Sequence, residues 1–127
     1  VQTHTDLTTT AAGTTQSPVD GAGKLQLNKS VWNVTRNSAG EVAKPGETLR
    51  YTIAYENIGN GTLNTLVIHD RVPEFTDLVT GSLQCNDTPP EISSCTPTAT
   101  GDTLMWNFSG NLPAGQYGEV YYDTLIK

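Results

Sequence analysis

Between Thr48 and Asn57 the residues Leu49, Tyr51, Ile53 and Tyr55 fall on one side of an extended chain, and Arg50, Thr52 and Glu56 fall on the other. A period of two is the signature of a half-buried β-strand. The turn formers Pro45 and Gly46 precede this segment and Gly59 and Gly61 follow it, and most of the chain repeats the same grammar. Strands are predicted over 25–34, 48–57, 63–69, 75–83, 103–108 and 117–126. Turn clusters are predicted over 37–46, 58–62, 71–74, 86–102 and 111–115, and no helix of useful length is expected. In the last strand Val120, Tyr122, Thr124 and Ile126 share a face, as do Leu104, Trp106 and Phe108 in the strand before it, so these positions should supply much of the core.

The first 23 residues break the pattern, because they lack aromatics, are rich in Thr and end in the Gly21–Gly23 run that reads as a hinge. They form a tail, and residues 24–127 form one domain of a size that can bury its own core. Within the tail Val1, Thr3, Thr5, Leu7 and Thr9 alternate with Gln2, His4, Asp6 and Thr8, and Thr and Val favour extended backbone. This segment is a candidate donor strand.

A net charge of −6 and a pI near 4.6 leave no basic surface, so nucleic acid is not an expected partner. No apolar run is long enough to span a membrane, and Val1 does not open a signal peptide, so an exported chain would be in its mature form. Cys85 and Cys95 are the two cysteines, and they lie in a Pro-, Ser- and Thr-rich stretch without His. A disulfide is the economical reading, and it implies an oxidising compartment; the alternative is two unpaired thiols in a surface loop. Zinc would need further ligands that His4 and His69 do not supply.

The order LQLNKSV, AKPGETLRYTIAYENIGNGTL, LVIHDRVPEFT, a Cys-containing segment and LMWNFSGNLPAGQYGEVYY resembles the Ig-like "conserved repeat" domain of unknown function found in large prokaryotic cell-surface proteins. The resemblance covers about Lys24 to Lys127. It implies an all-β, antiparallel Ig-like sandwich of about seven strands, secreted or at the cell surface, serving as a stalk, spacer or adhesin module, with no catalytic residues to carry over. A single copy with a Thr-rich head departs from the tandem pattern and suggests a subunit.

Several side chains invite chemistry. Lys29 is in phase with Leu25, Leu27 and Val31, so its ammonium starts from the core side and needs a partner. Asn57 continues the inward set of its strand, and Asp70 follows the strand ending at His69. A Lys, Asn and acid constellation of this kind could form an isopeptide bond between Lys29 and Asn57 with Asp70 assisting. The competing reading has Asn57 and Asp70 bonding turn backbone while Lys29 snorkels outward. Asn28, Asn33, Asn60, Asn86 and Asn107 each begin an Asn-x-Ser/Thr triplet and are candidate glycosylation sites, Asn60 being the best placed. His69 and Asp70 are adjacent in a strand and so face opposite ways, which excludes a dyad. No nucleophile elbow or phosphate loop is present, and no catalysis or cofactor is expected. Asp77, Asp87 and Asp102 flank loops that could offer oxygens to calcium, but without a recognised spacing. Trp106 is in phase with the core. Trp32 is out of phase, so it is the aromatic expected at the surface, where it fits a contact surface better than a sugar platform.

Two functions follow as expectations. The first is a subunit of an extracellular filament or pilus, its head adding a strand to a neighbouring copy of the same chain. The second is a monomeric adhesin or spacer module that binds a glycan or host surface through loops at one end.

Overall fold

The computed structural model describes residues 2–3, 10–15, 23–39 and 42–127. Among them are twelve strands and no helix: β1 (Gln2–Thr3), β2 (Thr10–Thr15), β3 (Leu25–Asn33), β4 (Ser38–Ala39), β5 (Val42–Ala43), β6 (Thr48–Asn57), β7 (Leu63–Arg71), β8 (Thr76–Leu78), β9 (Gln84–Asn86), β10 (Ile92–Thr100), β11 (Thr103–Leu112) and β12 (Tyr117–Ile126). One sheet runs β4-β3-β6-β12-β8, with β9 also on β12; a second runs β10-β11-β7-β2; β1 and β5 form a separate pair. Neighbouring strands are antiparallel throughout. The protein is thus the all-β sandwich expected, but it has more strands than the seven or so anticipated, because short strands are added beside six long ones.

The burial pattern of β6 alternates along its length, with Leu49, Tyr51, Ile53, Tyr55 and Asn57 inside. Val120, Tyr122 and Ile126 of β12 extend this inner face, and Leu63, Leu66 and Ile68 of β7 with Leu104, Trp106, Phe108 and Leu112 of β11 close on it from the other sheet. Stacked Tyr51 and Tyr122 (5.3 Å between centroids) and edge-on Tyr55 and Phe108 (5.2 Å) fill the interior with rings in favourable geometries. Trp32 is 45% exposed, as its phase requires.

Two local readings fail for physical reasons. The strand expected over 75–83 is broken, since Phe75 takes a positive φ, and Gly81, also at positive φ, lies in a turn that Ser82 closes by donating its N–H to the carbonyl of Val79. Conversely, β10 lies inside what reads as a turn cluster. It is an edge strand paired with β11 alone, so beyond Ile92 and half-buried Cys95 its residues are exposed and it has no alternation to read. An edge also tolerates Pro97, which reads as a strand breaker in sequence.

Cys85 of β9 and Cys95 of β10 form a disulfide, so this bond ties one sheet to the other. A loop of this length should stabilise the fold by roughly 2–3 kcal/mol, chiefly by restricting the unfolded chain.

Candidate functional site

Without the tail, the second sheet would end at β7, leaving a row of backbone donors and acceptors unpaired. In the structure β2 fills that edge, with Thr10 opposite His69, Ala11 opposite Ile68, Ala12 opposite Val67, Thr14 opposite Asn64 and Thr15 opposite Leu63. The register shifts between Ala12 and Thr14, around Gly13, which matches the interruption of the ladder between β7 and β11. The segment that docks is therefore residues 10–15. Of the positions expected to form the donor strand, Val1, Thr5, Leu7 and Thr9 lie outside the described residues, and Thr3 pairs with Val42 in the separate two-stranded ladder.

Both ends of the segment joining tail to sandwich meet the same residue. Thr15 stands opposite Leu63, and Gly23 comes so close to Leu63 that a Cβ at position 23 would lie 2.7 Å from Leu63 Cδ2. A side chain there would have to push the buried Leu63 side chain aside. The next residue, Lys24, is fastened by its backbone: its N–H donates to Asn57 Oδ1 (3.1 Å) and its carbonyl accepts from the N–H of Ile58 (2.8 Å). Asn57 is wholly buried and uses its whole amide, with Nδ2 donating to the carbonyls of Gly61 (2.7 Å) and Leu112 (2.8 Å) and Oδ1 accepting also from the N–H of Gly59 (3.0 Å). It fixes the point where the tail begins.

This corrects the constellation drawn from sequence. Lys29 stands opposite Ile53 and Leu25 stands opposite Asn57, so Lys29 and Asn57 are separated by four residues of strand, roughly 13 Å at the usual rise, and no bond can join them. Lys29 does not snorkel to water either. Its Nζ lies 2.7 Å from Asp70 Oδ2, with side-chain exposures of 12% for Lys29 and 0% for Asp70. The Tyr122 hydroxyl donates to the same Oδ2 at 2.8 Å, and the Arg71 N–H donates to Oδ1 at 2.8 Å. Faces of Tyr51 and Tyr122 lie 5.1 and 5.8 Å from the Lys29 nitrogen, as cation–π attraction favours. The cluster links β3 and β12 of one sheet with β7 of the other. Sequence reasoning missed the direct Lys29–Asp70 contact and the part played by Tyr122. The sequence signals only that both side chains face inward, since Asp70 is in phase with Leu66 and Ile68, and Tyr122 with Val120.

Among the glycosylation candidates Asn28, Asn60 and Asn86 are exposed and Asn107 is half-buried. Asn33 is wholly buried, which removes it from the set. Its Oδ1 accepts from the Arg36 N–H and its Nδ2 donates to Glu47, whose carboxyl is held below its ordinary range first by the Arg36 side chain and then by the Lys44 N–H. Asp77, Asp87 and Asp102 do not converge, and among the described residues no group of three or more His, Cys, Asp and Glu side chains is placed to hold a metal. Nor, among them, is any helix long and apolar enough to cross a membrane. A depression of about 310 Å³ on the outer face of the first sheet is lined by Gln26, Asn28, Glu56, Asp87, Tyr117 and Glu119, with Tyr55 at its floor. Burial pushes the Tyr55 phenol up to about 12. Comparison of the chain with known protein families, with characterised proteins and with solved structures found no match.

Proposed function

We propose that this protein is the subunit of an extracellular filament, in which the tail of one copy completes the second sheet of the next. The observation that carries the reading is that the edge of β7 is filled by a tail segment outside the sandwich core. The same backbone ladder forms whether that segment comes from its own chain or from a neighbour, so opening the link at residues 16–22 exchanges one for the other at little cost in contacts. This is the logic of a domain swap. Donor and acceptor are different surfaces, so the contact is heterologous, and one that does not close generates a fibre. The resemblance to Ig-like repeat domains of prokaryotic cell-surface proteins supports the extracellular setting of this reading, as does the inter-sheet disulfide, which suits an oxidising compartment.

A monomeric adhesin module is the second reading, favoured by the depression beside exposed Tyr117, where an aromatic face and hydrogen-bonding groups could receive a sugar. Negative-stain electron microscopy of the full chain beside a chain lacking Val1–Asp20 separates the two. Filaments from the full chain alone are the expected result. Filaments that persist without the tail would sink strand exchange, and single particles from both would turn attention to the depression.

A further inference from the structure

We propose that Lys29 and Asp70 condense into an intramolecular isopeptide bond between Lys29 Nζ and Asp70 Cγ. The reactants are already in contact at 2.7 Å, and the site is closed to solvent on the Asp70 side and nearly so on the Lys29 side. Tyr51 and Tyr122, both wholly buried, wall it with rings, and buried Trp106 packs against Tyr122. Holding two reactants in this way is worth an effective concentration of about 10⁵–10⁸ M in well-oriented systems, which lowers the barrier to an amide that dilute amine and acid form extremely slowly in water. Condensation also removes two charges from an apolar interior, where an ion pair recovers its desolvation cost poorly.

The hydrogen bonds around Asp70 give its two oxygens different roles. Oδ2 is nearest the Lys29 nitrogen and accepts from the Tyr122 hydroxyl, whereas Oδ1 accepts from the Arg71 N–H. The ammonium gives one proton to Oδ2, leaving a neutral amine and a carboxylic acid. The amine nitrogen adds to Cγ, and the negative charge that develops on Oδ1 is met by the Arg71 N–H, a fixed donor already aimed at it. A second proton passes from nitrogen to Oδ2, with the Tyr122 hydroxyl as the relay, and the Cγ–Oδ2 bond breaks. An ammonium and a carboxylate become one amide and one water, with no oxidant, metal or further reactant. Oδ1 remains as the amide oxygen on the Arg71 N–H.

The placement has a consequence if the filament reading holds, though the bond itself does not rest on it. β3 leads out of the subunit's own tail and β7 receives the tail that covers the sheet edge, so tension along a filament enters through one and leaves through the other. An amide between Lys29 and Asp70 would join those strands directly, on the β3–β7 side of the sandwich, while the disulfide joins the sheets through β9 and β10.

The test is the intact mass of the full chain after disulfide reduction and removal of any glycan, followed by fragmentation of its proteolytic peptides. The expected result is a mass lower than that of the sequence by one water, with a branched peptide joining the Lys29 and Asp70 segments. Lys29→Arg, which keeps the positive charge, should restore the full mass. A native chain at full mass overturns the proposal, as does a missing water that persists in Lys29→Arg, since that water would have been lost elsewhere. Filament formation is read separately by microscopy, so either idea can fail while the other stands.

Discussion

The two edges of the second sheet are managed in opposite ways. At one, β10 offers its outer side to solvent and blunts it by composition: Ser93, Ser94, Thr96, Thr98 and Thr100 are exposed, and Pro97 has no N–H to offer another strand. At the other, β7 carries no proline, buries Leu63, Leu66 and Ile68, and is covered by the tail. An edge with an apolar inner face invites another strand, whereas a polar edge that carries a proline discourages one. The difference marks β7 as the edge suited to accept a strand, and β10 as the edge that is not.

The comparison is broken most severely at the tail. A chain lacking Val1–Asp20 retains every buried apolar residue among those described, so it should fold, with the β7 edge open. A synthetic peptide of residues 1–15 should then bind it, as fluorescence anisotropy would show. Register gives this experiment its resolution: position 11 stands opposite Ile68, which is wholly buried, while position 12 stands opposite half-buried Val67. Ala11→Asp in the peptide should weaken binding about tenfold or more, a difference of roughly 1.4 kcal/mol, and Ala12→Asp should weaken it much less. Equal losses would mean that the peptide does not occupy this register, and no binding would mean that β7 is not an acceptor.

A smaller effect is expected at the root of the tail. Asn57→Ala removes the partners of the Lys24 and Gly59 N–H groups and of the Gly61 and Leu112 carbonyls at one buried position. Groups left unpaired in such a setting cost about 1–3 kcal/mol each where water cannot reach them, and partial access by water should hold the total near 3 kcal/mol. Urea unfolding of the full chain measures it. A loss below about 1 kcal/mol would show that water serves these groups as well as Asn57 does.

How far this was legible in the sequence depends on burial. β6 and β12 are read to the residue, since each is central, is buried on one face and alternates without interruption. β10 is not read at all, because an exposed edge leaves no hydrophobic phase, and its Pro97 signals a break. The same logic governs the Lys29 cluster. The phase of Lys29 with Leu25, Leu27 and Val31 requires a buried partner, but β3 and β7 lie in different sheets and share no hydrogen-bonded ladder. Which acid faces a lysine across a sandwich is set by how the sheets stack, and no spacing along the chain encodes that. Asn57 was legible as an inward residue. Its task of fastening Lys24 was not, because the bond spans 33 residues.

The mildest test asks whether β10 is refused as an edge because of Pro97. Pro97 stands opposite Trp106 of β11, and its neighbours Thr96 and Thr98 hold register with Asn107 and Met105, so the ladder runs unbroken through the proline. A residue with an N–H at position 97 would therefore leave the fold in place. Pro97→Val adds that donor and a side chain suited to a strand, and should change stability by less than about 1 kcal/mol. Its visible effect should be on association. In a chain lacking Val1–Asp20, where strand exchange through the tail is removed, the substitution should produce concentration-dependent association in sedimentation, weaker than binding of the tail peptide to β7. If the variant sediments as the unsubstituted chain does at every concentration, the exposed threonines and serines suffice to close this edge. Acceptor strength would then follow from the apolar face of the strand, which β7 has and β10 lacks beyond Ile92.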